Sequence, residues 1–224
     1  MQHSNDLVAC SKRSSWGEAN RQLLKLIHQY AHGRILDAGC ARGMYVQTLN
    51  ELGYETYGGD LFDWPEWHSH SLKPYSKINL LQLPFRDQIF DTVICINVLE
   101  HIVSVQSALA ELTRVCKNNG NLFLAVPNCD GTLEMDWAGL TYSHWIDRSH
   151  VHFFTEQALQ NLLTECNLKC QTLVQFGNIS PEILFLRSFG VPFIIARAIA
   201  AGFQRIPGRR RYAPLLVAVV KVNH

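Results

Sequence analysis

The sequence lacks the features that mark a disulfide-stapled, zinc-binding or membrane-spanning protein. Its seven cysteines are scattered, odd in number and without a CxxC pair, so neither a disulfide framework nor a zinc ribbon is expected. No signal-peptide core stands near the N-terminus, and no clean run reaches the ~20 apolar residues that a transmembrane helix needs. The nearest such run, Ile183 to Phe203, is interrupted by Arg187, Pro192 and Arg197. We therefore expect a cytoplasmic protein with reduced thiols.

The chain also lacks an excess of charge of either sign. Its 20 Lys and Arg residues and 19 Asp and Glu residues give a formal net charge of +1, so nothing general favours a nucleic-acid partner. Hydrophobic residues make up 47% of the 224 residues, which is enough to build the core of one large domain. We therefore interpret residues 1–224 as a single domain without a nucleic-acid partner.

Helix-like and strand-like segments alternate along almost the whole chain. This alternation predicts a doubly wound α/β fold, with three αβα layers and a mostly parallel sheet. Two long connections, 128–151 and 178–211, interrupt the pattern. The predicted helices are 16–31, 44–52, 104–117 and 155–166, with Thr155 as N-cap, and the predicted strands are 34–38, 55–60, 77–80, 90–96, 121–126, 168–176 and 215–222.

The first strand–helix turn, LDAGCARG (36–43), contains an acid and two glycines but lacks the full dinucleotide spacing. Gly39 would let the backbone approach a ligand, and Gly43 would let the next helix pack close to the strand. Asp37 would repel a pyrophosphate but pair with a cation. Asp60, at the end of the second strand, is placed to accept hydrogen bonds from ribose hydroxyls. A nucleoside with a cationic amino-acid part and no phosphate meets these conditions, and S-adenosylmethionine is such a ligand.

The same residues resemble the first motifs of class I S-adenosylmethionine-dependent methyltransferases. The group includes enzymes of ubiquinone and menaquinone biosynthesis and the type 11/23 methyltransferase domains. Ala41 stands where the family has a middle glycine, and we expect the extra methyl to be tolerated. Three further stretches match in order, so the resemblance covers roughly residues 33–176. They are NLLQLPFRDQIFDTVICINVLEHI (79–102), VPN (126–128) and HVHFFTEQALQNLL (150–163).

The resemblance implies a Rossmann-like sheet of seven strands in the order 3-2-1-4-5-7-6, with the last strand antiparallel. It also implies that residues 33–127 form the cofactor-binding core. Asn79 replaces the family's aspartate beside the adenine amino group, and its carbonyl oxygen can still accept that hydrogen bond. The implied cofactor-binding residues are Asp37, Ala38, Gly39, Cys40, Gly43, Asp60, Leu61, Asn79, Leu80 and Asn97.

Histidines are the candidate catalytic bases, because imidazole titrates near neutrality. His101 follows the fourth strand, and His150 and His152 precede the last predicted helix, with His144 nearby. Each is equally interpretable as a packing or orienting residue. Glu100 and His101, with His150 and His152, would be the ligands of a divalent ion. Further acidic ligands are not evident, so we expect no metal.

Two segments bear on the acceptor. The loop 128–151 contains Trp137, Tyr142 and Trp145, which suit a flat or amphipathic molecule. Segment 178–211 is apolar and then basic, with Arg205 and Arg209–Arg211 at its end. Three interpretations of it remain open: contact with a membrane surface through 183–211, a lid over a lipid-like or quinone-like acceptor, and packing on the domain or on a second copy.

The sequence thus predicts S-adenosylmethionine-dependent methyl transfer to a small molecule, with O-methylation first. The acceptor is expected to be amphipathic, lipid-like, quinone-like or glycan-related. Three alternatives stay open: an N- or C-methyltransferase, a catalytically silent S-adenosylmethionine-binding module, and a nicotinamide-dependent Rossmann enzyme.

Overall fold

The computed structural model describes residues 18–69, 74–130, 147–177, 183, 186, 189–203 and 213–224. The helices are α1 (Glu18–Tyr30), α2 (Met44–Glu51), α3 (Val105–Val115), α4 (Glu156–Glu165) and α5 (Phe193–Phe203). The strands are β1 (Arg34–Ala38), β2 (Glu55–Asp60), β3 (Tyr75–Lys77), β4 (Phe90–Ile96), β5 (Cys116–Pro127), β6 (Lys169–Phe176) and β7 (Leu215–Lys221), and short 3₁₀ helices cover Pro65–Ser69 and Leu99–His101. None of the helices in these described ranges is both long and apolar enough to cross a membrane.

The seven strands form one sheet in the order β3-β2-β1-β4-β5-β7-β6, which confirms the predicted topology. β1 pairs in parallel with both β2 and β4, whereas β7 runs antiparallel to β5 and β6. Asp37 is in register with Gly58 on one side and Ile94 on the other. The strand order reverses between β1 and β4, and in an open α/β sheet that reversal opens a crevice at the carboxyl edge.

Helices cover both faces of the sheet and produce the predicted three layers. Because successive strand residues point to opposite faces, neighbours such as Ile35 and Leu36 belong to different cores. One core joins α1 and α2 to the sheet, and the larger one joins α3 and α4 to its other face. The nearly continuous apolar sequence of β4 follows from this burial on both sides.

Most predicted boundaries agree with the structure to within two residues. The hydroxyl of Thr155 accepts a hydrogen bond from the Ala158 backbone amide at 3.0 Å, which confirms Thr155 as the N-cap of α4. The predicted helix 16–31 is helical over Glu18–Tyr30, while Trp16 lies outside the described residues. Residues 131–146, which include Trp137, Tyr142, His144 and Trp145, also lie outside them, as does much of 178–211.

The third strand is not where the sequence predicted it. The prediction placed it at 77–80, but β3 spans Tyr75–Lys77 and pairs with β2 from Gly58 to Asp60. The following residues form a turn, in which the Asn79 side chain accepts from the Leu81 amide and the Asn79 carbonyl accepts from the Gln82 amide. Ile78 and Leu80 are buried on either side of an exposed Asn79. The turn therefore has the same alternation of buried and exposed residues as a strand.

The helix predicted over 104–117 is also shorter than expected, because β5 begins at Cys116. The Asn118-Asn119-Gly120 segment, which the prediction left between the helix 104–117 and the strand 121–126, lies inside an irregular part of β5. There the register with β4 jumps from Phe90↔Cys116 to Thr92↔Asn121. Asn119 accommodates this irregularity with a left-handed φ of 59°.

Candidate active site

A cleft of about 1060 Å³ lies at the carboxyl edge of the sheet, beside the reversal in strand order. Asp37 and Asp60 at the ends of β1 and β2 contribute to its walls, together with Ile96 at the end of β4. Its volume exceeds the roughly 300–1,000 Å³ of typical small-molecule sites. The cleft is therefore large enough for a nucleoside cofactor and a second molecule beside it.

Asp37 is the most unusual group in the cleft. Its side chain is only 2% exposed, and its Oδ2 atom has no hydrogen-bond partner among the described residues. Burial, together with the smaller effect of the negative charge of Asp60, raises the pKa of Asp37 to about 7. A buried carboxylate without a partner is costly, and a cationic group would remove that cost by pairing with it. The residue fits the ammonium group of S-adenosylmethionine.

The turn after β1 is held by hydrogen bonds from two directions. The Gly39 and Cys40 amides both donate to the Gly59 carbonyl, at 2.7 and 3.0 Å. The Ala41 amide donates to Asp60 Oδ2 at 2.9 Å, and the indole N–H of Trp67 donates to the Ala41 carbonyl at 2.8 Å. These contacts stabilise Ala41 at a φ of 44°, a left-handed conformation that glycine adopts without strain. The missing glycine therefore has a conformational cost as well as one extra methyl group.

Asp60 combines a structural role with its predicted binding role. Besides the Ala41 amide, it accepts a hydrogen bond from the Phe62 amide at 3.1 Å through Oδ1. A carboxylate offers about four lone-pair positions, so Asp60 retains the capacity to accept from ribose hydroxyls.

Both the backbone conformation and the lack of room for a side chain require glycine at position 39. Gly39 has a φ of 89°, and a Cβ atom there would lie 2.2 Å from Cγ2 of Val98. Gly43 at φ 81° precedes α2, and a Cβ atom there would meet the Tyr75 ring at 2.5 Å. Gly43 thus lets the turn pack against β3, and it does not line the cleft.

The predicted adenine contacts lie on the turn after β3. Asn79 and Leu80 line the cleft, and Leu80 is 6% exposed. The Asn79 Oδ1 atom already accepts from the Leu81 amide at 3.0 Å, so one lone pair and the side-chain NH₂ group remain for a ligand. Cys40 also lines the cleft, and burial raises the pKa of its thiol far above the ordinary value, so it stays neutral. Asn97, at φ 53° after β4, completes this side.

The rim of the cleft carries large apolar side chains that face solvent. Leu61, Phe62, Leu81 and Val103 are 53%, 64%, 43% and 77% exposed, and all four line the cleft. Clustered exposed apolar side chains around a concave site are typical of ligand binding. Sequence reasoning found only Leu61 among them, because nothing in the sequence brings these short loops together.

A cluster of polar side chains adjoins the cleft through His101 and Ser149. His101 lines the cleft, and its ring contacts His150 edge-on with centroids 4.6 Å apart. The Ser149 hydroxyl lies 3.0 Å from Nδ1 of His101 and donates to Asp147. His150 Nε2 lies 3.7 Å from Asp147 Oδ2. Ser149 also lines the cleft and was not identified from the sequence.

Glu100 lies behind this cluster and is only 1% exposed. Burial, together with a smaller effect of the charge of Asp147, raises its pKa to about 7. Its Oε2 atom has no hydrogen-bond partner among the described residues. Glu100, His101 and His150 each offer a ligand atom within 4.8 Å of the others, so together they have the geometry to hold a divalent ion.

His152 is separate from that cluster. Its Nε2 atom lies 3.0 Å from the Ile102 carbonyl and 3.3 Å from the Val103 carbonyl. Carbonyls only accept, so this nitrogen carries a proton in the neutral ring and is not available as a base. The position of His152 favours a role in holding the loop after β4.

Most of the residues predicted for the cofactor therefore share one cleft. Ala38 is fully buried inside the sheet and, like Gly43, does not line it; neither His150 nor His152 lines it. Residues that sequence reasoning missed include Trp64, Met44 and Tyr45, which line the cleft. The aromatic-rich connection between β2 and β3 was the available signal for Trp64.

Comparisons with known proteins agree with this geometry. A methyltransferase-domain family model matches residues 15–173. An uncharacterized protein of Methanocaldococcus jannaschii is 50% identical over 112 residues, which cover 50% of this chain and 48% of that protein. The ubiquinone biosynthesis O-methyltransferase of Rickettsia akari is 30% identical over 115 residues, which cover 49% of this chain and 43% of the relative. The chain thus spans about half the length of these curated relatives.

Solved structures show the same fold. The 1,6-didemethyltoxoflavin-N1-methyltransferase of Burkholderia thailandensis, determined with 1,6-didemethyltoxoflavin and S-adenosylhomocysteine bound, superposes with a TM-score of 0.63. It is 17% identical, and the match covers 100% of this chain and 88% of that one. The family match, the strand order and the acid-lined cleft agree. The chain therefore belongs to the methyltransferase-domain family, the class I enzymes whose cofactor is S-adenosylmethionine.

Proposed function

We propose that this protein transfers the methyl group of S-adenosylmethionine to a hydroxyl oxygen of a small, partly apolar acceptor, with His101 as the base. The observation that carries the proposal is one cleft lined by both Asp37 and His101. Asp37 is buried and its Oδ2 atom has no hydrogen-bond partner among the described residues, while His101 is an exposed imidazole that lines the same cleft. A cation site and a proton acceptor are the two groups that O-methylation asks of the protein.

The cofactor is proposed to bind along the ends of β1 and β2. Asp37 would accept hydrogen bonds from its ammonium group, Asp60 from the ribose hydroxyls, and Asn79 would contact the adenine edge. S-adenosylmethionine supplies a methyl group activated by the sulfonium. The role of the protein is then to orient the acceptor, exclude water and remove one proton.

The proposed role of His101 is to accept the proton of the acceptor hydroxyl. As the acceptor oxygen bonds to the methyl carbon, the carbon–sulfur bond breaks and S-adenosylhomocysteine leaves. The hydroxyl proton passes to an imidazole nitrogen of His101. A histidine in this role typically contributes about 10²- to 10⁴-fold in rate.

The acceptor is proposed to be a phenol or quinol with an apolar part. The exposed side chains of Leu61, Phe62 and Val103 support an apolar contact at the rim. The low-identity match to ubiquinone biosynthesis O-methyltransferases supports oxygen as the methylated atom. A glycan-related acceptor fits this rim less well, because sugars present mainly hydroxyl groups.

We also propose that α5 contacts a membrane surface. Phe189 precedes the helix and is 72% exposed, and Ile194 and Ile195 on it are 80% and 51% exposed. Ala196 and Ala200 are buried, so the helix packs on the protein with small residues and presents large ones outward. The arginines at 205 and 209–211 follow in the sequence, and this combination suits an anionic lipid surface.

The base assignment is tested with His101→Gln. A panel of catechols with short and long alkyl tails would be incubated with the cofactor, and S-adenosylhomocysteine would be measured by mass spectrometry. We expect kcat to fall at least about a hundredfold while cofactor affinity by calorimetry is retained. The control is His68→Gln, because His68 is exposed and does not line the cleft.

Three results would redirect the proposal. Methyl transfer to amines or carbon nucleophiles alone would identify an N- or C-methyltransferase. Cofactor binding without turnover on any acceptor would favour a silent binding module. Loss of activity with a chelator, restored by Mg²⁺, would favour an ion held by Glu100, His101 and His150 in place of a histidine base.

A further inference from the structure

We infer that Asp147 and Ser149 are positioning residues that hold His101 as its Nδ1–H tautomer and so leave Nε2 as the basic nitrogen. This inference rests on the proposed function, in which His101 is the base. Neutral imidazole carries its proton on either nitrogen, and the partners of the ring decide which one.

The three side chains form a continuous hydrogen-bonded chain. The Ser149 hydroxyl lies 3.0 Å from Nδ1 of His101, and the Ser149 carbonyl lies 3.3 Å from the same nitrogen. On its other side, Ser149 contacts Asp147 Oδ1 twice, through its hydroxyl at 2.5 Å and its backbone amide at 2.9 Å. Among the described residues, both partners of Nδ1 therefore come from Ser149.

The directions of these bonds follow from what each group can donate. Hydrogen bonds from the Ser149 hydroxyl and amide lower the pKa of Asp147, so its carboxylate is ionised and only accepts. The single proton of the Ser149 hydroxyl is therefore donated to Asp147. The Ser149 oxygen can then only accept from His101, and the Ser149 carbonyl also only accepts. Both contacts require a proton on Nδ1.

Other charged groups around the ring do not reverse this preference. Glu100 Oε1 lies 4.0 Å from Nε2, which is too long for a hydrogen bond. His150 contacts the ring of His101 edge-on. No residue in the described parts of the chain forms a hydrogen bond to Nε2, so its lone pair stays available.

Backbone contacts fix the two segments that meet here. The Val151 and His152 amides donate to the Glu100 carbonyl, at 2.8 and 3.1 Å. They join the segment before α4 to the 3₁₀ helix after β4, although Ser149 and His101 are 48 residues apart. The arrangement resembles other sites in which a carboxylate orients a histidine, with a serine inserted between the two.

The inference is tested with Ser149→Ala, Ser149→Thr and the control Ser69→Ala. Ser69 is an exposed serine whose hydroxyl donates to the Glu66 carbonyl, outside the cleft. Nitrogen-15 spectra of the full-length protein report which ring nitrogen of His101 is protonated, with His101→Gln identifying the signals. This readout needs neither an acceptor nor turnover.

We expect Ser149→Ala to raise the fraction of His101 protonated on Nε2 and to lower kcat about 10- to 100-fold, as loss of an orienting partner typically does. The KM for S-adenosylmethionine should stay near that of the wild type, and Ser149→Thr should restore most of both properties. An unchanged tautomer in Ser149→Ala would overturn the inference, whether or not kcat falls. If the tautomer shifts but His101→Gln keeps wild-type kcat, the hydrogen-bonded chain stands and the base assignment in the proposed function fails.

Discussion

Asp37 shows how one residue connects folding stability with cofactor binding. Its folded pKa of about 7 lies above the ordinary value of 3.8, because burial disfavours the charge. Below pH 3.8 the carboxyl is neutral in both folded and unfolded chains and costs nothing. Between pH 3.8 and 7 the unfolded chain ionises while the folded chain stays protonated, so stability falls as pH rises. Above pH 7 the full cost is present, on the order of 4 kcal/mol.

Replacing Asp37 with Asn is expected to stabilise the protein while weakening cofactor binding. The neutral amide has no ionisation cost, so Asp37→Asn and wild type should be similar near pH 4, and the variant should be more stable by several kcal/mol above pH 7. Affinity for S-adenosylmethionine should fall roughly a hundredfold, since removal of one partner of a buried charge pair costs about 2–5 kcal/mol. Urea denaturation across pH 4 to 8 and calorimetry measure the two effects.

Glu100 titrates in the same pH range, with a pKa of about 7. It is present in both proteins, so the difference between the variant and wild type isolates Asp37. Identical pH slopes of the free energy of unfolding in the two proteins would contradict the assignment of a buried carboxylate with a raised pKa to position 37.

Single residues also define the limit of reasoning from sequence. The sequence predicted Asp37 as a cation partner, because an acid in a phosphate-type loop is chemically informative. It could not predict the conformation of Ala41, because a φ of 44° depends on Asp60 and Trp67 reaching the turn from elsewhere in the chain. Ser149 was missed for the same reason, because its role is evident only from its contact with His101, which is distant in the sequence.

At the scale of elements, the turn between β1 and α2 is the most constrained part of the site. Gly39 and Gly53 have nearly the same φ, 89° and 90°. A Cβ atom at Gly39 would collide with Val98, whereas nothing lies within 4 Å of one at Gly53. Alanine substitutions at these two glycines therefore distinguish the cost of the left-handed backbone conformation from the cost of a steric clash.

Gly53→Ala should lower the free energy of unfolding by about 1–2 kcal/mol, the cost of a left-handed conformation for a residue with a side chain. Gly39→Ala should cost about 1–3 kcal/mol more, because the new methyl also overpacks against Val98. Adding Val98→Ala to Gly39→Ala should recover part of that difference, since it removes the closest contact. Chemical denaturation of the wild type, Gly53→Ala, Gly39→Ala, Val98→Ala and the Gly39→Ala/Val98→Ala double variant measures the coupling. Equal losses at the two glycines would show that the Val98 contact is unimportant.

Elements with a strong apolar pattern were predicted well, and the exceptions have a common cause. α4 and β4 were identified because burial on one or both faces imposes a clear pattern. β3 was displaced because Ile78 and Leu80 are buried in a turn. Burial determines which positions are hydrophobic, and this pattern can be read from the sequence. Backbone hydrogen bonding determines whether the segment is a strand or a turn, and the hydrophobic pattern does not record it.

At the scale of the molecule, α5 gives a test of membrane contact. Ile194→Asp places a charge on the most exposed of the large apolar side chains described on the helix, and it should abolish co-sedimentation with vesicles containing phosphatidylglycerol. Gln160→Asp adds the same charge on the exposed face of α4 and should bind vesicles like wild type. Binding should weaken at high salt, because the arginines contribute electrostatically.

Two results would contradict this proposal. Failure of the wild type to bind anionic vesicles would exclude membrane contact through α5. Dimerisation that Ile194→Asp abolishes, without vesicle binding, would instead identify the face as a contact between copies of the chain.

The sequence by itself determined the fold class, the cofactor and most of the predicted residues that share the cleft, because a strand–turn–helix pattern and two acids at strand ends are local signals. Only the tertiary structure decided how these residues act together. It placed Asp37, whose Oδ2 atom has no partner among the described residues, in the same cleft as His101. It also separated His152 from that cluster and brought Ser149, with Asp147 bonded to it, to His101 across 48 residues. Those relations depend on the sheet bringing distant loops to one edge, and the spacing of residues along the chain carries no record of that proximity.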